Sequence, residues 1–202
     1  MKKTYSPKFG RYVYEIFAGD YFATDERNVI LSTLLGSCVA VCLRDQKTGV
    51  VGINHFMLPS NIRVEEIIFS RDARYGINAM EKMINMMMKL GAKRNSIQAK
   101  VFGGGQVLDQ NLSNVAQSNI DFAKVYLQME EIPVVASDVG GKKGRKIFFF
   151  SNSFDIYMKR IRYQGGLEKA VSREKKFYNW MQDNIKKDQD SELTLFERGE
   201  QE

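Results

Sequence analysis

Short runs of β-branched and aromatic residues, separated by polar and glycine-bearing breaks, recur along most of this chain, which is the pattern of strands and turns. Runs at residues 12–17, 29–35, 38–43, 50–58, 97–102, 134–137, 146–150 and 155–161 read as strands. Three segments carry a helical period instead. Residues 72–90 place Ala73, Ile77, Met80, Ile84, Met87 and Met88 on one face and close at Gly91, a helix C-terminal glycine. Ser118-Asn119-Ile120-Asp121 offers an N-cap with an acidic residue three later, opening a helix to about residue 129. After a break at Gly165-Gly166, residues 167–187 set Leu167, Ala170, Val171, Tyr178, Met181 and Ile185 on one stripe of an amphipathic helix. The alternation predicts a mixed α/β layered domain over residues 1–166. A C-terminal helical extension follows over residues 167–202, ending in a polar tail from residue 188.

Composition narrows the field. A chain of 202 residues, 44% hydrophobic and 27% charged, is long enough to fill one core. The net charge of +6 is moderate, and the basic residues after residue 142 are interspersed with acidic ones. Such mixing gives no focused nucleic-acid footprint. No run of about 18 apolar residues is present, so membrane insertion is not expected. The basic N-terminus leads into polar and aromatic residues, not an apolar signal core. Two cysteines four residues apart make no disulfide framework and fit a reducing compartment, so the expected address is cytoplasmic.

The candidate chemistry centres on the single histidine. His55 follows Cys38 by 17 residues, and a strand, a turn and a second strand lie between them. A turn centred between Gln46 and Lys47 pairs Leu43 with Val50 and sets Cys38 opposite His55, with Cβ atoms about 4.5–5.5 Å apart. A five-residue loop from Asp45 to Gly49 instead pairs Cys38 with Phe56 and sends His55 to the other face. In the first register a neutral imidazole can take the thiol proton, giving a thiolate–imidazolium pair suited to acyl transfer. A hydroxyl at Ser32 or Thr33 can fix the imidazole tautomer, and backbone N–H groups near Gly36, Ser37 and Cys38 can hold an oxyanion.

Plainer readings compete. A buried cysteine and a lone strand histidine are common core residues, and Cys42, with ordinary strand flanks, reads as core. Cys38, Cys42 and His55 lack a fourth cysteine or histidine for a zinc site. The methionines of residues 72–90 read as core filler. Gly103-Gly104-Gly105 lacks the spacing and ending of a phosphate-binding loop and reads as a tight, closely packed turn. Asp138 to Gly141 with Gly144-Arg145 reads as a cleft wall or a loop with special backbone angles.

The segments Leu35-Gly36-Ser37-Cys38-Val39-Ala40-Val41-Cys42, Asn54-His55-Phe56-Met57-Leu58-Pro59, Ala99-Lys100-Val101-Phe102-Gly103-Gly104, Asp138-Val139-Gly140-Gly141 and Gly144-Arg145, in that order, resemble the chemoreceptor glutamine deamidase family, CheD. The likeness runs over roughly residues 12–163. It implies an α/β layered mixed-sheet sandwich like the catalytic domain of cytotoxic necrotizing factor toxins. It also implies conversion of particular glutamines in the cytoplasmic helices of methyl-accepting chemoreceptors to glutamates, with ammonia release and no metal or organic cofactor. The resemblance makes Cys38 the nucleophile, His55 the general base and Ser32 the third member, with Thr33 its neighbour to watch. It implies a CheC-type phosphatase as a partner that restrains deamidation. It is silent on residues 164–202. Two other readings stay open: a CheC-binding regulatory module with weak or no catalysis, and a different cysteine acyl-transfer enzyme such as a protease or transglutaminase.

Overall fold

The computed structural model describes residues 1–60, 73–107, 110–162 and 167–191. Among the described residues, ten strands form two five-stranded sheets. The first sheet runs β1 (Lys2–Ser6), β2 (Arg11–Glu15), β4 (Val29–Leu35), β9 (Gly144–Phe150) and β10 (Ile156–Ile161). The second runs β3 (Tyr21–Thr24), β6 (Val51–Asn54), β5 (Val39–Asp45), β7 (Ile97–Gly103) and β8 (Val134–Val139). Both sheets are mixed: β2 pairs with β4 in parallel, as does β7 with β8, and the other neighbours are antiparallel. The α-helices among the described residues are α1 (Ala73–Lys89), α2 (Gln110–Met129) and α3 (Glu168–Ser191).

Alternation along β5 explains the layers. Val39, Val41 and Leu43 join Met80, Met83, Ile84, Phe122 and Leu127 in a core beneath α1 and α2. Cys38, Ala40 and Cys42 point the opposite way and pack with Leu31, Leu35, Ile147 and Phe149 of the first sheet. The order is helices, sheet, sheet, as the α/β sandwich expectation required. Because the second sheet is covered on both faces, its central strands are apolar at nearly every position. The methionines of α1 are core, as read from the sequence, with one exchange: Met83 is buried and Met88 is exposed.

Two strands, β1 and β3, are not apparent in the hydrophobic pattern, because β1 is polar and exposed and β3 has only four residues. Helix α2 starts at Gln110, so Ser118-Asn119 lies inside a helix and caps nothing. Its local cap signature is overridden because Asn119 has tertiary partners, described below. The expected Gly165-Gly166 break and the end of the polar tail lie outside the described residues. Helix α3 packs on the sandwich: Met181 enters the core between the sheets, and Leu167 and Val171 pack with Leu34.

The β5–β6 hairpin has neither expected register. Leu43 faces Gly52, Cys42 faces Ile53, and an isolated bridge joins Val39 to Phe56. The loop contains four residues, Gln46 to Gly49, because Asp45 remains in the strand and its N–H donates to Val50 O at 2.9 Å. The Asp45 carboxylate then caps the loop, accepting from Lys47 N–H at 2.9 Å and Thr48 Oγ1 at 2.6 Å. Relative to the first expected register, the pairing slides by two residues. A two-residue slide preserves side-chain facing, so Cys38 and His55 still belong to one face.

Candidate active site

Strand β4 lies in one sheet and β5 in the other, so residues 36–38 carry the chain across the gap between them. Each carbonyl of this crossing is held from another segment. Gly36 O accepts from Gly105 N–H at 2.8 Å, Ser37 O from Asn119 Nδ2 at 3.1 Å, and Cys38 O from Gly104 N–H at 2.8 Å. Asn119 also accepts the Leu58 N–H at 2.7 Å, joining the crossing to the segment just after His55. The glycine triplet is therefore a site of close backbone packing. At Gly103, φ is +119° and an added Cβ would collide with Cys38 O, so a side chain there is excluded on both counts.

With those carbonyls fixed, the N–H groups of Gly36 and Ser37 point together at one acceptor, the Glu174 carboxylate of α3. Gly36 N–H donates to Oε1 at 2.7 Å, Ser37 N–H to Oε2 at 2.9 Å, and Ser37 Oγ to Oε2 at 3.0 Å. The two N–H groups thus form a cradle that is filled by a carboxylate of the same chain.

His55 emerges just beyond β6 and is buried. Its Nδ1 lies 2.7 Å from Thr33 Oγ1, and that hydroxyl donates to Ile16 O at 2.7 Å. A threonine hydroxyl has one proton. Given to a carbonyl, it leaves the oxygen as acceptor for His55 Nδ1–H, so the neutral ring carries its lone pair on Nε2. Among the described residues Nε2 has no hydrogen-bond partner, and it lies 3.8 Å from Glu174 Oε1. Ser32, the third member implied by resemblance, faces the other way along β4 and donates to Ile147 O at 2.8 Å. The hydroxyl at the imidazole is Thr33's.

Cys38 Sγ, a His55 ring nitrogen and a Glu174 carboxylate oxygen all lie within 4.8 Å of one another, and all three residues are buried. Burial, then the charge of Glu174 and a hydrogen bond to it, push the Cys38 thiol well above its ordinary range. For Glu174, burial acts upward, but His55 and the N–H groups of Gly36 and Ser37 outweigh it and hold the carboxyl below its usual value. Cys42 is not part of the trio, and burial pushes its thiol up too. Cys38, His55 and Glu174 are donor types that suit zinc. The Glu174 oxygens, however, are already engaged by Gly36 and Ser37.

Nothing in the apolar pattern of the sequence singles out Glu174, although a signal is there. Leu167, Val171, Tyr178, Met181 and Ile185 define a stripe at spacings of three, four and seven, and residue 174 falls in its centre. A charged residue at a core position of an amphipathic helix is buried only when paired. The 138–145 loop takes the structural alternative. Arg145, 4% exposed, donates to Asp138 Oδ1 at 2.6 Å and Gly140 O at 2.6 Å, tying the loop to itself.

Residues 57–160 match the family described as CheD chemotactic sensory transduction. The "Probable chemoreceptor glutamine deamidase CheD" of Laribacter hongkongensis is 48% identical over 149 residues, covering 73% of this chain and 72% of its own length. "Probable chemoreceptor glutamine deamidase CheD 1" of Shewanella oneidensis is 44% identical over 159 residues, covering 78% of this chain and 77% of its own. "Probable chemoreceptor glutamine deamidase CheD 2" of Chromobacterium violaceum is 38% identical over 183 residues, covering 90% of this chain and 89% of its own. By family match and by relatives aligned across most of its length, this chain belongs to the CheD family.

Proposed function

We propose that this chain is a protein-glutamine deamidase acting on chemoreceptors, with Cys38 as nucleophile and His55 as general base and acid. The observation that carries this reading is the bare, buried Nε2 of His55, fixed in its tautomer by Thr33 and within reach of Cys38 Sγ beside two converging N–H groups. Nε2 takes the Sγ proton, and the thiolate attacks the carboxamide carbon. The resulting oxyanion is held by the N–H groups of Gly36 and Ser37. The imidazolium then protonates departing ammonia. Water, activated by the same Nε2, cleaves the thioester to leave glutamate. Thr33 is a positioning residue, and Ser32 supports the β4–β9 pairing.

The substrate is proposed from the names borne by the relatives, and the cytoplasmic location follows from it, since the receptor helices that carry such glutamines lie in the cytoplasm. A CheC-type phosphatase as a restraining partner belongs to the same reading. The test incubates the purified chain with a chemoreceptor cytoplasmic fragment, measuring ammonia and the mass of receptor peptides. A gain of about one mass unit at particular glutamines, abolished by Cys38→Ala, is expected because hydrolysis needs the thiolate. Cleaved or cross-linked receptor would instead assign the site to a protease or a transglutaminase, and ammonia release surviving in Cys38→Ala would remove the nucleophile.

A further inference from the structure

Glu174 places a carboxylate against the proposed oxyanion donors, beside Cys38 and His55. That carboxylate is the functional group that deamidation of a glutamine side chain leaves behind. It projects from a helix, α3, and receptor glutamines of the proposed substrate also project from helices. Resting on the deamidase reading, we propose that α3 is a built-in product mimic: Glu174 occupies the position of the attacked side chain, and a substrate helix must displace α3 to enter.

The seat of α3 fits a helix that both docks and leaves. Leu167 and Val171 anchor one side of Glu174, against Leu34 and Val107, and Met181 anchors the other. At Gly36 an added Cβ would lie 2.7 Å from Glu174 Oε2, so the glycine opens the room through which a side chain from outside reaches the cradle. At Gly19 an added Cβ would lie 2.6 Å from the Phe177 ring, a second slot for the helix. Arg173 places its guanidinium 4.8 Å from the Phe17 ring centre at the rim. Phe177 and Tyr178, partly buried, pack against the same core as Met181, and Trp180, 56% exposed, stacks on Phe177. The apolar contacts of the helix thus fall on either side of one buried carboxylate, an arrangement that centres the side chain in the site.

Glutamine matches glutamate in size, so the side chain at position 174 can be exchanged for that of the substrate. In Glu174→Gln the site meets its own substrate. Cys38 Sγ bonds to the carboxamide carbon of the introduced side chain as the C=O electron pair moves to oxygen. Collapse expels ammonia, which takes the proton held on His55, and water hydrolyses the thioester. The sum is glutamine plus water giving glutamate plus ammonia, once per chain.

The experiment uses full-length Glu174→Gln, Glu174→Gln with Cys38→Ala, and Glu174→Ala. Peptide mass at position 174 is followed with time, receptor-fragment deamidation is assayed in parallel, and zinc content is measured for the wild type. The expected result is conversion of the introduced glutamine back to glutamate, with a gain of about one mass unit, blocked by Cys38→Ala. Glu174→Ala should deamidate receptor on the order of tenfold faster than wild type, since emptying the site raises the competent fraction. An introduced glutamine that stays intact while the same variant deamidates receptor would overturn the mimic and leave the deamidase standing. An intact glutamine at position 174, with no receptor deamidation by any form, would overturn both readings. One zinc bound per wild-type chain and lost in Glu174→Gln would make Glu174 a ligand and overturn the mimic as well.

Discussion

Thr33 gives its one proton to Ile16 O and receives Nδ1–H of His55 at 2.7 Å, so a hydroxyl on one sheet decides which nitrogen of a ring on the other is left bare. Thr33→Val keeps the shape and removes that choice, leaving a buried Nδ1–H unpartnered. Deamidation of a receptor fragment should fall by about ten- to a hundredfold, part of the contribution of a well-placed general base. Thr33→Ser should restore most of it. Ser32→Ala, which loses only the bond to Ile147 O, should stay within about twofold in rate and cost about 1 kcal/mol in urea unfolding.

Asn119 is expected to matter for stability before chemistry. Asn119→Ala strips partners from Ser37 O and Leu58 N–H, both in the protein interior. Two unsatisfied buried groups at about 1–3 kcal/mol each predict a loss of about 2–6 kcal/mol in the midpoint-derived unfolding free energy. A loss under about 0.5 kcal/mol would show that the crossing does not need this side chain.

The Glu174 carboxyl is held below its ordinary value, which is about 4.3 for glutamate. A depressed carboxyl stabilises the folded state fully above that value, and the contribution disappears as pH falls through its lower folded pKa. In a Cys38→Ala background, where the introduced glutamine cannot be hydrolysed, the chain that keeps Glu174 should therefore lose stability relative to Glu174→Gln as pH falls below about 4.3, measured by parallel urea titrations. A pH-independent difference would mean that the Glu174 charge is not coupled to folding.

Cys38 follows the opposite sign. Its thiol is pushed up by burial and then by Glu174, so the folded chain favours the protonated form, and this contribution is lost as pH rises above the free-thiol value of about 8.5. Iodoacetamide should label Cys38 slowly at neutral pH in wild type and several-fold faster in Glu174→Ala, where the nearby negative charge is gone. Peptide mapping separates this signal from Cys42.

Much of this site was legible from spacing, though its geometry was not. The 17-residue interval put Cys38 and His55 in one hairpin, and their shared face survived because Asp45 shifted the pairing by an even number of residues. The sequence does not show which β4 face meets His55, because β4 is set between β2 and β9, and β9 lies more than a hundred residues away. Ser118-Asn119 reads as a cap because local hydrogen-bonding habit says nothing about a partner 82 residues away. Glu174 is hidden by a preference for apolar residues in defining the stripe of α3, where the exception is the informative position.

The carbonyls of Gly36, Ser37 and Cys38 are gripped by residues 105, 119 and 104. A loop pinned at three successive peptides has little room to breathe, so its amide protons exchange with solvent only when larger parts of the fold open. Damage at Gly103 or Asn119 would register first as faster hydrogen exchange across residues 36–38, well before any altered reaction revealed it. Stiffness is what those distant residues lend to the crossing.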